Sequence, residues 1–433
     1  MALAQNRQSA KSADQVVLHS VDLLEALFAD DGNHNCRVRF WDGTVWEHGS
    51  DAAFTLVLTH PGALRSMLRD RGELPLGEAY IFGDFDIQGN IAAAFELSDV
   101  MLGRNESLVQ KARLAALMSR LPRTGRPRLL SRKSHLPGAV HSKSRDREAI
   151  HYHYDLPPEF YELFLGPQMV YSCAYFQNEH DSLEQAQEQK LDHICRKLRL
   201  QPGERFLDIG CGWGALVIHA SKHYGVVSRG ITLSELQAKL ARQRAREAGV
   251  ESLCSIEVRD YRELGAGHQF DKIASIGMFE HVGERLLPTY FSRVYDLLRD
   301  GGVFLNHGIA VSALYPSSSS SFIEEYVFPD GELVPINKTV SIGEHAGFEL
   351  RDVESLREHY AITLQEWTER LESKALEAKR LTNETTYRIW RMYMAGSAHA
   401  FRTGRLNLYQ SLFVKSIGGK SNLPLTRDDW YSH

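Results

Sequence analysis

A short apolar segment that leads into three alternating glycines constrains the fold of this chain more than any other feature. Residues 205–209 form a strand pattern, and Gly210, Gly212 and Gly214 follow at every second position before an apolar helix pattern begins. Glycine lets the backbone approach a ligand closely, and the positive N-terminus of the next helix attracts it. The pattern starts from Asp208 and lacks the glycine spacing of the dinucleotide fingerprint. It therefore predicts a site for a nucleoside without a pyrophosphate.

Strand and helix patterns alternate after this turn. Further strands are predicted at residues 226–231, 255–258, 272–276 and 303–306, and helices at 215–224 and from Glu235 onwards. Strands separated by helices are typical of an α/β fold with a doubly wound, mostly parallel sheet. Ligands bind beyond the carboxyl ends of such strands, and we expect His307 to lie at the end of the fifth strand.

Composition restricts the class of protein. The chain has 433 residues, of which 43% are hydrophobic, enough for two globular domains. A formal net charge of −5 gives no overall attraction to nucleic acid, so no such partner is predicted. The five cysteines are odd in number and lack zinc-like spacing, which predicts a reducing cytoplasmic setting and no metal site. No apolar run is long enough to span a bilayer.

Three segments are distinguished along the chain. Residues 1–121 show short strand and helix patterns and predict a small N-terminal α+β domain. Residues 122–150 are rich in Arg and Lys and contain prolines and glycines. They predict a basic linker, which either contacts phospholipid headgroups or is only a solvated spacer. Residues 151–433 hold the sheet, with a helical insertion at about 361–402 before a last strand near 408–415.

Six separated motifs occur in one order between residues 151 and 415. They are His153-Tyr154-Asp155-Leu156, Tyr171-Ser172-Cys173-Ala174-Tyr175-Phe176, the 207–214 glycine turn, Gly230-Ile231-Thr232-Leu233-Ser234, Asp260-Tyr261-Arg262 and Gly277-Met278-Phe279-Glu280-His281-Val282-Gly283. Together they strongly resemble the cyclopropane fatty acid synthases and the related mycolic acid methyltransferases. Residues 77–84 resemble, more loosely, the lipid-engaging domain of full-length bacterial members. The resemblance implies a Rossmann-like methyltransferase domain.

The resemblance implies transfer of a carbon from S-adenosylmethionine to the cis double bond of an unsaturated phospholipid acyl chain, giving a cyclopropane ring. Tyr171 and Ser172 would meet the cofactor, residues 232–237 would hold its ribose or methionine end, and Tyr261 and Arg262 would flank adenine. The predicted cofactor residues are Tyr171, Ser172, Asp208, Gly210, Cys211, Gly212, Trp213, Gly214, Thr232, Leu233, Ser234, Gln237, Tyr261 and Arg262. Strand two ends in Thr232 instead of an acidic residue, so hydroxyls and Gln237 would replace the usual ribose carboxylate, with Glu235 as a substitute.

A base is also implied, because attack of an alkene on the sulfonium methyl leaves a carbocation that must lose a proton before the ring closes. Family members hold a bicarbonate ion for this purpose. The matching positions are Cys173, Glu280, His307, Ile309 and Tyr360. His and Tyr side chains and backbone amides would donate to the anion, and Glu280 would orient His307 or accept the bicarbonate hydroxyl proton. Each residue alone has an ordinary structural explanation, so their joint occurrence carries the hypothesis.

Two other functions stay open at this point. One is a methyltransferase whose carbocation loses its proton elsewhere, giving a methylene or methyl-branched chain. The other is an inactive lipid-binding protein that keeps the fold. The leading hypothesis places the protein in the cytoplasm, peripherally at the inner face of a membrane that presents unsaturated phospholipid, and leaves a homodimer open.

Overall fold

The computed structural model describes residues 2–29, 35–68, 72–103, 107–123, 136, 138–154, 156–265, 270–314 and 322–431. Contacts between Cα atoms divide the chain into two compact units. The first comprises Met1–Lys133, Ser320–Val327 and Asn383–His399, and the second comprises Ser134–Ser319, Phe328–Thr382 and Ala400–His433. Two segments distant in sequence therefore complete the N-terminal unit.

The described helices follow one another as α1 (Ala2–Phe28), α2 (Ala63–Met67), α3 (Glu73–Ile81), α4 (Ile91–Gly103), α5 (Leu108–Ser119), α6 (Lys143–Tyr154), α7 (Pro158–Leu165), α8 (Leu183–Leu198), α9 (Ala215–Tyr224), α10 (Glu235–Glu247), α11 (Leu287–Leu297), α12 (Phe322–Tyr326), α13 (Ile336–His345), α14 (Arg357–Ser373), α15 (Ala375–Leu381), α16 (Glu384–Arg402) and α17 (Asp428–Tyr431). The strands are β1 (Cys36–Arg39), β2 (Val45–His48), β3 (Phe54–Leu58), β4 (Phe85–Gly89), β5 (Arg205–Ile209), β6 (Val227–Thr232), β7 (Cys254–Val258), β8 (Phe270–Ile276), β9 (Leu298–Val311), β10 (Glu349–Ser355) and β11 (Leu406–Val414). Within the part of the chain that the structure describes, no helix is both long and apolar enough to cross a membrane.

The first unit is built on a four-stranded sheet in the order β2-β1-β3-β4. β1 and β2 are antiparallel, and the Thr44 N–H donates to Asp42 Oδ1 over 2.9 Å in the turn between them. β1 and β3 are parallel, whereas β3 and β4 are antiparallel. This mixed sheet with its helices confirms the N-terminal α+β region predicted from the sequence.

The second unit contains a seven-stranded sheet in the order β10-β11-β9-β8-β5-β6-β7. The five strands β5 to β9 are mutually parallel neighbours, and β11 runs antiparallel to both β9 and β10. Successive residues of β5 enter different apolar cores: Phe206 packs in the cluster with Val217, and Leu207 packs in the cluster with Phe291. Because successive strand side chains point to opposite faces, the sheet is covered on both sides, as the predicted fold class requires.

One predicted strand is much longer than expected. The pattern at 303–306 becomes β9, which pairs with β11 over nine residues from Val303↔Val414 to Val311↔Leu406. His307 pairs with Ile276, the last residue of β8, but β9 continues beyond it because β11 continues as its partner. The prediction that His307 ends the strand is therefore wrong. His307 lies inside β9 and is buried.

The segment predicted as a basic linker contains a helix at its C-terminal end. α6 begins at Lys143, eight residues before residue 151, where the methyltransferase domain was predicted to begin. Residues 124–135 and 137 lie outside the described part of the chain. Farther on, α14, α15 and α16 occupy the region of the predicted helical insertion, between β10 and β11.

Candidate active site

The glycine turn joins β5 to α9 through three left-handed residues. Gly210, Gly212 and Gly214 have φ angles of 84°, 51° and 84°. A Cβ added at Gly210 would lie 2.8 Å from Met278 Cβ, so this position needs glycine for space as well as for conformation. The N–H groups of Gly210 and Cys211 both donate to the Ile231 carbonyl, which fixes the turn against β6.

A cleft of about 1210 Å³, its open mouth included, lies at the carboxyl ends of four parallel strands. Its lining includes Gly210, Thr232, Asp260 and Gly277, which follow or end β5, β6, β7 and β8. It also includes these predicted cofactor residues: Tyr171, Ser172, Asp208, Cys211, Gly212, Trp213, Leu233, Gln237, Tyr261 and Arg262. Its position beyond the carboxyl ends of parallel strands is the usual place of a ligand site in this class of fold.

Gly214 and Ser234 are the predicted cofactor residues that do not line this cleft. Gly214 is the N-cap of α9, and a Cβ there would lie 3.0 Å from Ala241 Cβ. Ser234 is the N-cap of α10, where its Oγ accepts from the Gln237 N–H over 3.2 Å. Both residues shape the two helix starts next to the cleft.

Two hydrogen-bonded polar side chains lie at the end of β6. Thr232 Oγ1 donates to Gln237 Oε1 over 2.7 Å, and the Ser234 N–H donates to Thr232 Oγ1 over 3.2 Å. Thr232 and Gln237 line the cleft, whereas Glu235 is exposed and does not. The hydroxyl and amide, and not Glu235, are therefore the polar groups that this strand end offers to a ligand.

Asp208 is a buried carboxylate with an unsatisfied oxygen. It is 3% exposed, and its Oδ1 has no hydrogen-bond partner among the described residues. Burial raises the pKa of Asp208 to about 7, and the positive charge of Lys190 opposes that rise. A buried polar atom without a partner is costly, so this oxygen is suited to a ligand that donates to it or carries positive charge.

Lys190 faces the same cleft from α8. It is 2% exposed, and its Nζ donates to Ser172 Oγ over 2.8 Å. Burial lowers the pKa of the Lys190 ammonium to about 8, against the opposing influence of Cys173 and Asp208. Lys190 and Asp208 together give the cleft one cationic and one anionic group.

Glu280 and Ile309 form a second polar site, next to the turn after β8. The Ile309 N–H donates to Glu280 Oε1 over 2.7 Å, while Glu280 Oε2 is buried without a partner among the described residues. Burial raises the pKa of Glu280 to about 7, although the amide of Ile309 opposes this. Gly308 permits the close approach, because a Cβ there would lie 2.9 Å from Phe279 Cδ1.

His307 lies two residues before Ile309 on β9 and is 1% exposed. Its Nδ1 is 3.2 Å from Gln410 Nε2, and its Nε2 has no hydrogen-bond partner among the described residues. Burial, reinforced by the charges of Lys190 and Lys197, lowers the pKa of His307 to about 3. The ring is therefore neutral near pH 7. No described hydrogen bond joins it to Glu280, so the predicted orientation of His307 by Glu280 is not observed.

Cys173 and Tyr360 meet at the carbonyl of Leu356. Cys173 Sγ lies 3.8 Å from this oxygen, which also accepts from the Tyr360 N–H over 3.1 Å. The Leu356 N–H donates to Leu408 O, and Leu408 pairs with Ile309. Burial raises the pKa of the Cys173 thiol far above its usual range, so the group stays protonated. The Leu356 backbone thus links Cys173 to Tyr360, and through Leu408 it links both to the strand position of Ile309.

A sequence profile of the family described as mycolic acid cyclopropane synthetase matches residues 141–411. The chain belongs to this family. The family predicted from the six motifs is confirmed, and the protein is an S-adenosylmethionine-dependent methyltransferase of a lipid-modifying family. A profile of a domain of unknown function matches residues 23–112.

Relatives of this cyclopropane synthetase family member span nearly the whole chain. This chain is 39% identical over 404 residues to a probable fatty acid methyltransferase of Pseudomonas putida, and the match covers 91% of this chain and 96% of that protein. It is 34% identical over 358 residues to the cyclopropane-fatty-acyl-phospholipid synthase of Escherichia coli K12, covering 83% and 87%. A solved mycolic acid cyclopropane synthase complexed with S-adenosylhomocysteine matches with a TM-score of 0.59 and 33% identity, covering 62% of this chain and 98% of that one.

The cleft of this family member fits S-adenosylmethionine by charge. The cofactor carries a sulfonium and an ammonium, which suit the unsatisfied Asp208 oxygen, and a carboxylate, which suits the buried Lys190 ammonium. The left-handed glycine turn lets the backbone approach the nucleoside.

Several cleft residues of this family member were not predicted from the sequence. Asp146, Ile150 and Tyr154 line the cleft from α6, and Lys190 lines it from α8. The signal for Lys190 is its position within the apolar stripe of an amphipathic helix, where a lysine is rarely buried without a function. Asp146 and Ile150 gave no such signal, because their segment predicted a linker, and Tyr154 belonged to the first motif without being predicted as a cofactor residue.

Proposed function

We propose that this methyltransferase adds a methylene carbon from S-adenosylmethionine across the cis double bond of unsaturated phospholipid acyl chains, forming a cyclopropane ring. The observation that carries the proposal is the pair of buried, unsatisfied polar sites. One is Asp208 in the cofactor cleft. The other is the site of Glu280 and Ile309, to which we assign His307, two residues before Ile309 on β9; Glu280 Oε2 and His307 Nε2 both lack a partner among the described residues. A cofactor with positive charge and a small polar anion would each satisfy one of them.

In this proposal the cleft holds S-adenosylmethionine, which supplies the carbon. Asp208 balances its positive charge, and Lys190 with Ser172 binds its carboxylate. Thr232 and Gln237 bind the ribose hydroxyls, and Tyr261 and Arg262 lie beside adenine. Arg262 is itself held by Asp146 over 2.9 Å, so α6 would help to close the adenine end.

The second site would hold bicarbonate, which supplies the base. The neutral His307 ring would donate from Nε2. We propose that Tyr360 and Cys173, which are linked through the Leu356 carbonyl, also contact the anion. Glu280, with a pKa near 7, accepts the hydroxyl proton through its unsatisfied Oε2. The Ile309 amide already donates to Glu280, so we assign Ile309 to holding that carboxylate and not to binding the anion directly.

A methylene or methyl-branched product is the second candidate. It is favoured by the name of the Pseudomonas putida relative, a probable fatty acid methyltransferase that is 39% identical to this chain. Both reactions need the same cofactor and the same double bond, and they differ in the fate of the carbocation. Loss of a proton from the added methyl group with ring closure gives cyclopropane. The methylene chain needs a hydride shift from the methylated carbon before that proton leaves, and loss of a chain proton instead gives a methyl-branched alkene. The methylene product and the cyclopropane product have the same mass, so mass alone does not separate them.

The decisive experiment is incubation of the full chain with vesicles of a defined cis-monounsaturated phospholipid and methyl-labelled S-adenosylmethionine. NMR of the released acyl chain is expected to show the label in a cyclopropane ring. Label in an exocyclic methylene or a methyl branch would replace the leading proposal with the second candidate. Absence of transfer to any unsaturated lipid tested would contradict both.

The base site is tested by Glu280→Gln, with Glu284→Gln as the matched control on the same turn. Glu284 is half-exposed and pairs with Lys338, outside the proposed site. We expect Glu280→Gln to lower turnover by about 100-fold with cofactor affinity nearly unchanged, because the amide cannot take up a proton. Turnover in bicarbonate-depleted buffer should fall for the native chain and recover when bicarbonate is restored. An equal loss of affinity and rate in Glu280→Gln would contradict the assignment.

The lipid is proposed to be reached from a membrane surface through α5. Leu108 and Val109 at the start of this helix are 85% and 79% exposed, and the exposed side chains of Lys111 and Arg113 follow on the same helix. Apolar residues beside basic ones are typical of helices that lie in the headgroup region of a bilayer. This supports peripheral binding to a membrane surface, and we propose that the protein does so from the cytoplasm, at the inner face.

A further inference from the structure

On its Nδ1 side, His307 contacts a buried chain of hydrogen-bonding side chains. Gln410 is the residue of β11 that pairs with His307 across the two strands, and it is fully buried. Its side-chain amide lies between two groups: Nε2 is 3.2 Å from His307 Nδ1, and Oε1 is 3.0 Å from Lys197 Nζ. The amide therefore connects the lysine to the ring.

Lys197 decides which end of this amide faces the ring. Its Nζ is fully buried, 2.7 Å from Glu354 Oε2 and 3.6 Å from Asp352 Oδ2. Although burial acts to raise the pKa of Glu354, His193 and Lys197 hold it at about 2, so the carboxylate is charged. An ammonium can only donate, and Gln410 must therefore turn its oxygen to Lys197 and its NH₂ group to His307.

The orientation of the amide fixes the proton on the ring. Because Gln410 donates to Nδ1, this nitrogen must be the acceptor, and the proton of the neutral ring must sit on Nε2. Nε2 is the buried ring atom without a partner among the described residues. The end of this chain of contacts that has no partner among the described residues is thus a donor and not a lone pair.

We propose that Lys197 and Gln410 are positioning residues that hold His307 as the Nε2–H tautomer, so that His307 presents a donor to the anion of the second site. The inference rests on the proposed function, in which that anion is bicarbonate. A neutral N–H attracts the anion without the full charge of an imidazolium, which would weaken the anion as a base. The other tautomer would present a lone pair and repel it.

The first test uses the native chain and needs no activity. With ¹⁵N-labelled histidine, the ring nitrogens of the two neutral tautomers have different shifts, and a His307→Gln spectrum assigns the signal among the 19 histidines. We expect a protonated Nε2 and an unprotonated Nδ1 for His307. An Nδ1–H tautomer in the native protein would overturn the inference regardless of turnover.

The second test is Gln410→Glu, which keeps the shape of the side chain but replaces the NH₂ donor by an acceptor. The ring should then carry its proton on Nδ1, and turnover should fall by about 100-fold with cofactor affinity unchanged, because one donor to the anion is lost. Asn306→Asp is the matched control. It adds the same charge one residue away on β9, where Asn306 Oδ1 accepts from Tyr290 Oη over 2.9 Å, and it should leave the His307 tautomer unchanged.

The outcomes separate this inference from the proposed function. A change of tautomer in Gln410→Glu with undiminished turnover would overturn the positioning role. The same change with reduced turnover, in an enzyme that is insensitive to bicarbonate depletion, would keep the positioning role and remove bicarbonate as the bound anion. Thermal denaturation of each variant checks that it is folded, and if Gln410→Glu is not, the native spectrum still decides the tautomer.

Discussion

Asp208 shows how one residue in the cleft couples ligand binding to pH. Its carboxyl is buried, one oxygen has no partner among the described residues, and its pKa is raised to about 7 by burial. Below that pH the native protein keeps the group neutral, and above it the protein bears a buried negative charge that Lys190 balances only in part. A cationic ligand would pair with this charge. The ionised carboxylate therefore destabilises the ligand-free protein and strengthens the binding of a cation.

We expect the affinity for S-adenosylmethionine to rise about 10-fold between pH 6 and pH 8, because Asp208 becomes ionised over this range. In Asp208→Asn the affinity should be lower at pH 8, and this part of the pH dependence should vanish. Isothermal titration calorimetry with S-adenosylmethionine, in the absence of lipid, checks both statements. Asp192→Asn is the control, since Asp192 pairs with Tyr224 and Arg196 and does not line the cleft. A pH dependence that persists unchanged in Asp208→Asn would contradict the prediction.

At the scale of the element, α8 carries two lysines on its buried face. Lys190 reaches the cofactor cleft, and Lys197 reaches Gln410 and Glu354. The helix begins with a capping box between Ser182 and Gln185, so its start is fixed by local sequence. One helix therefore serves both polar sites of the second unit.

We predict opposite effects of Lys190→Met on stability and on binding. The lowered pKa of Lys190 means that the native state disfavours the ammonium. The free energy of unfolding of the native chain should therefore rise as pH increases from about 8 towards the pKa of lysine in the unfolded chain. Methionine removes this penalty, and we expect the melting temperature at pH 7 to rise by a few degrees. Cofactor affinity should fall about 10-fold or more, because the carboxylate of S-adenosylmethionine loses its partner. Lys239→Met, on an exposed position of α10, should change neither. A variant that loses stability would contradict the prediction.

We also predict that Leu108→Ser combined with Val109→Ser weakens binding to anionic vesicles by about 10-fold, because two exposed apolar side chains at the start of α5 no longer enter the headgroup region. Vesicle co-sedimentation measures the effect, and cofactor affinity should not change. Leu376→Ser is the control, since Leu376 on α15 is 87% exposed. Equal losses in the double variant and in the control would argue against α5 as the membrane-binding helix.

At the scale of the whole molecule, the N-terminal unit is not a contiguous stretch of chain. Asn383–His399 belongs to the same compact unit as the first 133 residues. Within it, Arg391 of α16 donates to Tyr80 Oη over 2.8 Å and to Ile87 O over 3.2 Å, and Arg388 donates to Tyr80 O over 3.0 Å. The helix that precedes the last strand of the large sheet is thus anchored to N-terminal residues.

Removal of residues 1–121 is therefore expected to destabilise the remaining chain, because α16 loses its packing partners and its guanidinium acceptors. We expect the melting temperature to fall by about 5 °C or more. Tyr80→Phe, which removes one hydrogen bond to Arg391, should lower it less. Thermal denaturation of the full chain, the truncated chain and Tyr80→Phe ranks their melting temperatures. A truncated chain as stable as the full chain would contradict the prediction.

The sequence by itself determined the elements whose signals are local. β5, the glycine turn and α9 have the predicted bounds, because left-handed glycines and strand or helix periodicity need no distant partner. The hairpin at Asp42 and the start of α10 at Ser234 also have local signals, which are an Asp-Gly pair between two strands and a serine at the N-cap. Motif order was sufficient for the family, because six agreeing motifs are specific where one is not.

Only the tertiary structure decided what depends on contacts between distant residues. β9 is long because β11, about a hundred residues later, pairs along it, and this places His307 inside a strand and opposite Gln410. Glu280 meets the Ile309 amide and Lys190 meets Ser172 through the packing of separate elements. Burial then sets the charge states of Asp208 and His307, and burial is a property of the folded surroundings that no local pattern contains.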